Sequence, residues 1–232
     1  MRLLDLFCGA GGAAMGYHRA GFEVVGVDIA PQPHYPFQFV RCDWRNALTY
    51  EREWIEKMTG GPFDAIHASP PCQAYSAQRT AWNARPHPEL IVPVRELLVA
   101  SGLPYVIENV PGAPLRDPLM LCGTMFGLGA AGQNLHRHRL FEAPWMPLTL
   151  TWPCAHSGAA LGVYGDHLRL RRRGAGRKAV EVSKGRLELG GEAMGIEWME
   201  WSELREAIPP AYTEFIGRQL MEHLSLAATR CG

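Results

Sequence analysis

Cys72 stands directly after Pro70 and Pro71 in the stretch "FDAIHASPPCQAYSAQR". Proline fixes its own φ and restricts the residue before it, so the pair sets the direction in which Cys72 leaves an apolar, strand-like run. Such a cysteine is either a packed small hydrophobe or a nucleophile. A free thiol has a pKa of about 8.5, so the nucleophile needs an activating neighbour or a polarised electrophile. Glu108, followed by Asn109, closes a second apolar run, "PYVIENV". A carboxyl there is costly to bury unless it is partnered or protonated. Beside a thiol, a protonated or hydrogen-bonded Glu suits addition to a polarised ring; the plainer alternative is a salt-bridged Glu next to a capping Asn. Arg137 and Arg139 alternate in "HRHRLFE", so on a strand both point to one face. Two guanidinium forks there can hold a carbonyl oxygen and a phosphate, or can form a solvated basic edge.

A glycine-rich turn, "DLFCGAGGAAMG", comes near the amino end. Gly9, Gly11 and Ala14 satisfy the G-x-G-x-x-[GA] fingerprint, and Asp28 ends the next β-branched run. The glycines let the backbone turn tightly and approach a ligand, and the acid can accept from ribose hydroxyls. That pattern fits NAD, FAD or S-adenosylmethionine. Asp43, at the end of "FQFVRCD", can accept from an adenine amine.

These residues need elements to place them. Strands are expected at Arg2–Phe7, "FEVVGVDIA", "FQFVRCD", "FDAIHAS" and "PYVIENV". Helices are expected at Gly12–Ala20 with Met15 inward, at Glu51–Met58 closed by Gly60 and Gly61, and at Glu89–Ala100. The alternation predicts an α/β fold with a doubly wound, mostly parallel sheet. The turns at Cys8, Asp28, Cys72 and Glu108 then converge on the carboxyl edge of that sheet. A catalytic and cofactor-binding domain is expected over residues 1–145. Residues 146–190, rich in Gly, Pro and Arg, read as a small irregular insertion, and residues 191–232 return to the main domain. There, Phe215, Ile216, Leu220 and Leu224 share one helical face.

Bulk composition narrows the class. A chain of 232 residues with 47% hydrophobic and 20% charged residues supports one sizeable core. No apolar run is long enough to span a membrane, and "MRLLDLFCGAGG" does not read as a signal peptide. The six cysteines include no C-x-x-C pair, so free thiols in a reducing compartment are expected. A zinc site using Cys154 and His156 is conceivable, but the two lack paired ligand spacing, and no metal is assigned. Net charge is zero, but Asp166–Gly190 holds eight basic residues against three acidic ones, a local +5. That suits contact with a polyanion, or a solvated loop.

Taken in order, "DLFCGAGG", "GVDIAP", "CD", "SPPCQAYS", "ENVPG", "HRHRLFE" and "AIPPAYTEFIGRQL" resemble the cytosine-5 DNA methyltransferases, most of all the short, phage-type members. The resemblance covers residues 1 to about 142 and about 192 to 220. It implies a Rossmann-like S-adenosylmethionine-dependent methyltransferase in which residues 146–190 recognise the target. The catalytic cysteine falls on Cys72, flanked by Pro71 and Gln73, and the catalytic glutamate on Glu108, followed by Asn109. Arg139 fits the arginine on the target base and Arg137 its companion. The cofactor loop falls on Phe7, Cys8, Gly9, Gly11 and Gly12, the ribose acid on Asp28 and the adenine acid on Asp43. Asp5, Ile29, Trp44 and Pro70 are implied as further cofactor contacts. Ser76 and Arg79 in the loop after Cys72, with Arg169, Arg171, Arg172, Arg173, Arg177 and Lys178 in the basic segment, are implied DNA contacts. The expected partner is double-stranded DNA, the expected state a monomer and the expected location the cytoplasm of a bacterial or phage host. RNA as substrate, or a weakly catalytic DNA binder on the same scaffold, are the alternatives. Two departures stand out: Leu135 where the family often has Gln, and Arg205–Ile208 where it usually has a Gly-Asn pair before the prolines.

Overall fold

The computed structural model describes residues 1–75, 87–146, 153–156, 159–171, 180–182 and 185–230. Its strands are β1 (Arg2–Leu6), β2 (Glu23–Asp28), β3 (Gln38–Arg41), β4 (Ala65–Ala68), β5 (Tyr105–Asn109), β6 (Leu119–Leu121), β7 (Gly129–Ala130), β8 (Gln133–Leu135), β9 (Arg139–Glu142), β10 (Ala160–Tyr164), β11 (His167–Arg171) and β12 (Val180–Val182). Its helices are α1 (Gly12–Arg19), α2 (Trp44–Leu48), α3 (Arg52–Thr59), α4 (Ile91–Ala100), α5 (Arg186–Met194), α6 (Trp201–Leu204) and α7 (Pro210–Arg230).

The main sheet runs β3-β2-β1-β4-β5-β9-β6. The first five strands are parallel, β9 runs antiparallel beside β5, and β6, antiparallel to β9, forms the edge. The expected mostly parallel α/β fold is therefore present. Its central strands are mostly apolar because both faces are covered. Leu3, Val24, Ala65 and Val106 enter one core with Tyr17, Tyr212 and Ile216. Their neighbours Leu4, Val25, Ile66 and Ile107 enter the opposite core with Ile55, Val94 and Leu98. That is the two-residue period of a strand applied to two buried faces. Each fully buried Leu or Ile contributes roughly 1.5–3 kcal/mol relative to exposure. Pro93 sits in the first turn of α4, where its missing N–H would lack an intrahelical partner anyway.

Four expectations are corrected. Met15 is only half-buried; Ala13, Ala14, Gly16 and Tyr17 form the inward face of α1. The third strand ends at Arg41, and Asp43 instead caps α2, accepting from the Arg45 N–H at 2.8 Å. Arg137 precedes β9 rather than lying on it. Among its described residues the insertion is not irregular: β10, β11 and β12 join β7 and β8 in a second sheet, order β12-β11-β10-β8-β7. That sheet has its own core of Leu135, Leu161, Val163, Leu168, Met194, Trp201 and Leu204. No helix among the described residues is long and apolar enough to cross a membrane.

Candidate active site

The main sheet reverses its winding at β1 and β4, and open α/β sheets bind ligands beyond the strand carboxyl ends at such a point. A cavity of 1530 Å³ opens there. It is lined by the glycine loop after β1, by Asp28 at the end of β2, by Cys72 after β4 and by Glu108 on β5.

Beyond β1 the chain turns sharply. Phe7 takes a left-handed φ of 57° and Gly9 one of 48°. Asp28 fixes the loop: its Oδ2 accepts from the Gly9 N–H at 3.2 Å and its Oδ1 from the Ala30 N–H at 2.9 Å. A Cβ on Gly9 would meet nothing within 4 Å, so this side is open to a ligand. Gly11 and Gly12 are needed for packing instead. A Cβ on Gly11 would lie 2.8 Å from Pro36 Cδ, and one on Gly12 would lie 2.5 Å from the Ile208 carbonyl oxygen. Cys8 is buried. Burial, with Asp5 and Asp28 nearby, raises its thiol far out of the reactive range.

Asp5 lines the cavity fully buried, and neither carboxyl oxygen has a hydrogen-bond partner. Burial, then Asp28, raises its pKa well above the ordinary range. A ligand with a cationic group and hydroxyls answers this donor set: Asp5 lacks a partner, and Asp28 and Asp43 line the same cavity. Phe7 and Trp44, ring centroids 5.8 Å apart, and the exposed Ile29 give the cavity apolar wall. These residues fit a nucleoside cofactor such as S-adenosylmethionine.

The Cys72 segment is held from β5. Asn109 Nδ2 donates to the Pro70 carbonyl at 2.8 Å, and the Tyr75 N–H donates to the Cys72 carbonyl at 2.9 Å. Pro71 and Gln73 are exposed, and Cys72 is half-buried. Burial raises the Cys72 thiol, Arg139 opposes that, Glu108 adds to it, and the net shift is upward. Glu108 is buried, with Arg139 Nε 2.9 Å from its Oε1. That contact pairs charges without hydrogen-bond alignment, and Oε1 remains without a hydrogen-bond partner. Burial lifts the Glu108 carboxyl above its ordinary range, against Arg139, Arg137 and a Ser69 hydrogen bond.

Arg137 departs from its expected place as a free fork. It is buried, and its Nη1 donates to the Val163 carbonyl at 2.6 Å while its Nη2 donates to those of Arg205 and Ala207 at 2.8 and 2.7 Å. It ties the second sheet to the segment before α7. That segment lines the cavity through Arg205, Glu206, Ala207 and Ile208, so the departure from the Gly-Asn pattern does not remove it from the site. The other departure, Leu135, is a fully buried core residue of the second sheet.

Two features were not read from the sequence as sets, although Cys154 and His156 were noted as a pair. Behind Glu108 runs a hydrogen-bonded chain: Tyr17 Oη lies 3.0 Å from His67 Nδ1, His67 Nε2 lies 2.7 Å from Ser69 Oγ, and Ser69 bonds Glu108. Ser69 immediately before "PPC" was the available signal. Behind the arginines, Cys122, His138, Cys154 and His156 place their ligand atoms within 4.8 Å of one another. Of the expected DNA contacts, Ser76, Arg79, Arg172, Arg173, Arg177 and Lys178 lie outside the described residues. Arg169 and Arg171 lie on β11.

Residues 1–115 match the family described as C-5 cytosine-specific DNA methylase. Type II methyltransferase M.AgeI of Thalassovita gelatinovora is 31% identical over 128 residues, 48% of this chain and 28% of the relative. Type II methyltransferase M.FnuDI of Fusobacterium nucleatum is 31% identical over 83 residues, 33% of this chain and 22% of the relative. The matches thus span about a quarter of the length of these curated relatives. Among solved structures, a DNA modification methyltransferase encoded within an E. coli prophage is similar in fold, with a TM-score of 0.60 at 15% identity over 97% of this chain and 99% of that one. S. pombe Dnmt2 methyltransferase gives 0.52 at 11% identity over 96% and 98%. Residues 1–115 include the glycine loop, Cys72 and Glu108, and it is this site-bearing part of the chain that matches the C-5 cytosine-specific DNA methylase family.

Proposed function

We propose that this chain is a DNA cytosine-5 methyltransferase. It moves a methyl group from S-adenosylmethionine to carbon 5 of a flipped cytosine through a covalent Cys72 adduct. The observation that carries this reading is the meeting of Cys72, Glu108 and Arg139 in one cavity with Asp5, Asp28 and Asp43. Asp28 and Asp43 would accept from the ribose and adenine of the cofactor, Asp5 would answer its cationic group, and Phe7, Ile29 and Trp44 would offer it apolar surface. When bound, S-adenosylmethionine supplies an electrophilic methyl group.

Carbon 5 of cytosine is a weak nucleophile. Cys72, as thiolate, bonds to carbon 6, and the electron pair of the 5,6 double bond moves into the ring, which becomes enamine-like. Glu108, whose carboxyl burial shifts toward the protonated form, donates at N3 when it carries a proton and accepts from the exocyclic amine. Arg139 donates to the O2 carbonyl as negative charge develops. After methylation a base removes the carbon 5 proton, that electron pair restores the double bond, and the Cys72 sulfur leaves. Arg137 acts by position, holding the chain that bears Arg139. Carbon 6 is out of reach in a stacked duplex, so the base is flipped, at a cost of a few kcal/mol. The basic stretch Asp166–Gly190 supplies phosphate contacts.

Duplex DNA bearing 5-fluorocytosine tests the chemistry, because a carbon 5 fluorine cannot leave as a proton. With S-adenosylmethionine the wild-type protein should form a denaturation-resistant adduct on Cys72, and Cys72→Ser should bind the same DNA without forming it. Failure of wild type to trap while still binding, or near-normal methylation by Cys72→Ser, defeats the mechanism.

A further inference from the structure

We propose that Cys122, His138, Cys154 and His156 bind one zinc ion in a closed tetrahedral site. The four residues come from three places in the fold. Cys122 follows β6, His138 precedes β9, and Cys154 and His156 lie between β9 and β10. Their ligand atoms lie within 4.8 Å of one another. Cys122 Sγ is 3.4 Å from His156 Nε2, and Cys154 Sγ is 3.6 Å from His138 Nε2. With zinc–sulfur bonds of about 2.3 Å and zinc–nitrogen bonds of about 2.0–2.1 Å, the edges of a tetrahedron are roughly 3.3–3.8 Å. Both sulfur–nitrogen distances already fall in that range.

The donor set selects the metal. Two thiols and two imidazoles suit zinc, whereas calcium and magnesium take oxygen ligands. Four protein ligands leave no open position, so the site is structural rather than catalytic. Binding displaces one proton from each thiol, and two thiolates then balance the two charges of the ion. The surroundings support the ligands. Thr124 Oγ1 donates to Cys122 Sγ at 3.4 Å, and the His136 ring stacks on that of His156 with centroids 4.3 Å apart. Sequence spacing hid the set because no two thiols are close in the chain; Cys122 and Cys154 meet only through the fold.

The consequence reaches the cavity. His138 lies between Arg137 and Arg139 in the sequence, so an ion held there pins the segment that carries both arginines. It also ties residues 153–156, which lead toward the second sheet, to β6 of the main sheet. None of this depends on the methyl-transfer reading, because metal content is read without a methylation assay.

The protein is purified without an affinity tag that binds metal, dialysed against metal-free buffer and assayed by mass spectrometry for bound metal. About one zinc per chain is expected for wild type and for Cys72→Ser. His156→Asn removes an exposed ligand and should lower the zinc content at least about tenfold. Cobalt-substituted wild type should show the intense visible bands of a tetrahedral ion together with sulfur-to-cobalt charge transfer. This spectrum decides the matter even where a ligand variant fails to fold. Wild type that carries no zinc, takes up no cobalt with these bands and melts at the same temperature with and without a chelator overturns the proposal. In that case the four residues are a hydrogen-bonded thiol–imidazole cluster only. A Cys122–Cys154 disulfide in freshly purified protein overturns it equally.

Discussion

Cys72 meets opposing influences in the free protein. Burial raises its thiol, Arg139 draws it down, Glu108 pushes it up, and the balance is upward. A resting thiol of this kind is protected from adventitious oxidation and depends on substrate entry for its activation. Alkylation of Cys72 by iodoacetamide, followed by peptide mass spectrometry across a pH series, should therefore show a midpoint above that of an unperturbed thiol. Arg139→Gln should move the midpoint further up, and Glu108→Gln should move it down. A midpoint below the ordinary thiol range in wild type would contradict this balance. At this scale the sequence was legible wherever a role follows from residue type and local order: Cys72 after two prolines, Glu108 before Asn109, and the acids at strand ends. The influences on Cys72 were not, because Arg139 acts through space across 67 residues of chain. The chain from Tyr17 through His67 and Ser69 to Glu108 was hidden for the same reason, since no local pattern links its members.

Elements hold these residues in place, and β9 is fastened by a buried ion pair. Arg95 Nε and Nη2 on α4 reach Glu142 Oε1 and Oε2 on β9, each at 2.7 Å. Glu142 also accepts from the Arg116 N–H at 2.7 Å and from the Tyr105 hydroxyl at 3.3 Å. Burial alone would raise the Glu142 carboxyl, but Arg95, the Arg116 N–H and Tyr105 more than offset it, and its pKa lies below the ordinary range. Removing one member of a buried pair strands the other charge, so Glu142→Ala should destabilise the fold by about 3–5 kcal/mol in urea unfolding near neutral pH. Replacing both members, as Arg95→Met with Glu142→Leu, should recover most of that loss. The pH dependence has a fixed sign. A carboxyl with a depressed folded pKa stabilises above its unfolded pKa, and that stability is lost as pH falls through the folded value. The gap between wild type and Glu142→Gln should therefore shrink on acidification below the ordinary carboxylate range. A gap that stays constant would mean the pair contributes packing alone. The parallel strands were readable as apolar runs because both faces of the sheet are buried. The second sheet was not readable. β7 has two residues and β8 three, and the parallel pairing of β8 with β10 spans two residues, too few for a period to register.

The whole molecule is closed by joining its two ends. α7 packs along α1; Tyr17 meets Tyr212 and Ile216 in the shared core, and the helices come closest at glycines. A Cβ on Gly217 would lie 2.8 Å from Ala20 Cβ, and one on Gly16 would lie 2.6 Å from the Glu214 main-chain nitrogen and still closer to the Thr213 hydroxyl and the Pro210 carbonyl. Thr213 Oγ1 donates to the Ala13 carbonyl at 2.8 Å, locking the two helices in register. The amphipathic face of α7 was legible from Phe215, Ile216, Leu220 and Leu224, but its partner was not, because small residues leave no hydrophobic signal. Two effects compete when Gly16 becomes Ala. Helix propensity favours Ala by about 1 kcal/mol. Overpacking costs about 1–3 kcal/mol, and here the obstacles include main-chain atoms that cannot swing away. Overpacking should win, and a net loss of about 1 kcal/mol lowers the melting temperature by roughly 2–4 °C in a chain of this size. Adding Thr213→Ala should not rescue the variant, since the Pro210 carbonyl and the Glu214 nitrogen remain. The displacement should also reach the cavity. α1 begins at Gly12, directly beneath the Ile208 carbonyl, so moving the helix moves the loop of Cys8 to Gly12. S-adenosylmethionine should then raise the melting temperature of Gly16→Ala less than that of wild type at the same concentration. A Gly16→Ala protein that melts with wild type and gains the same shift from the cofactor would show that α1 and α7 have room to separate without disturbing the site.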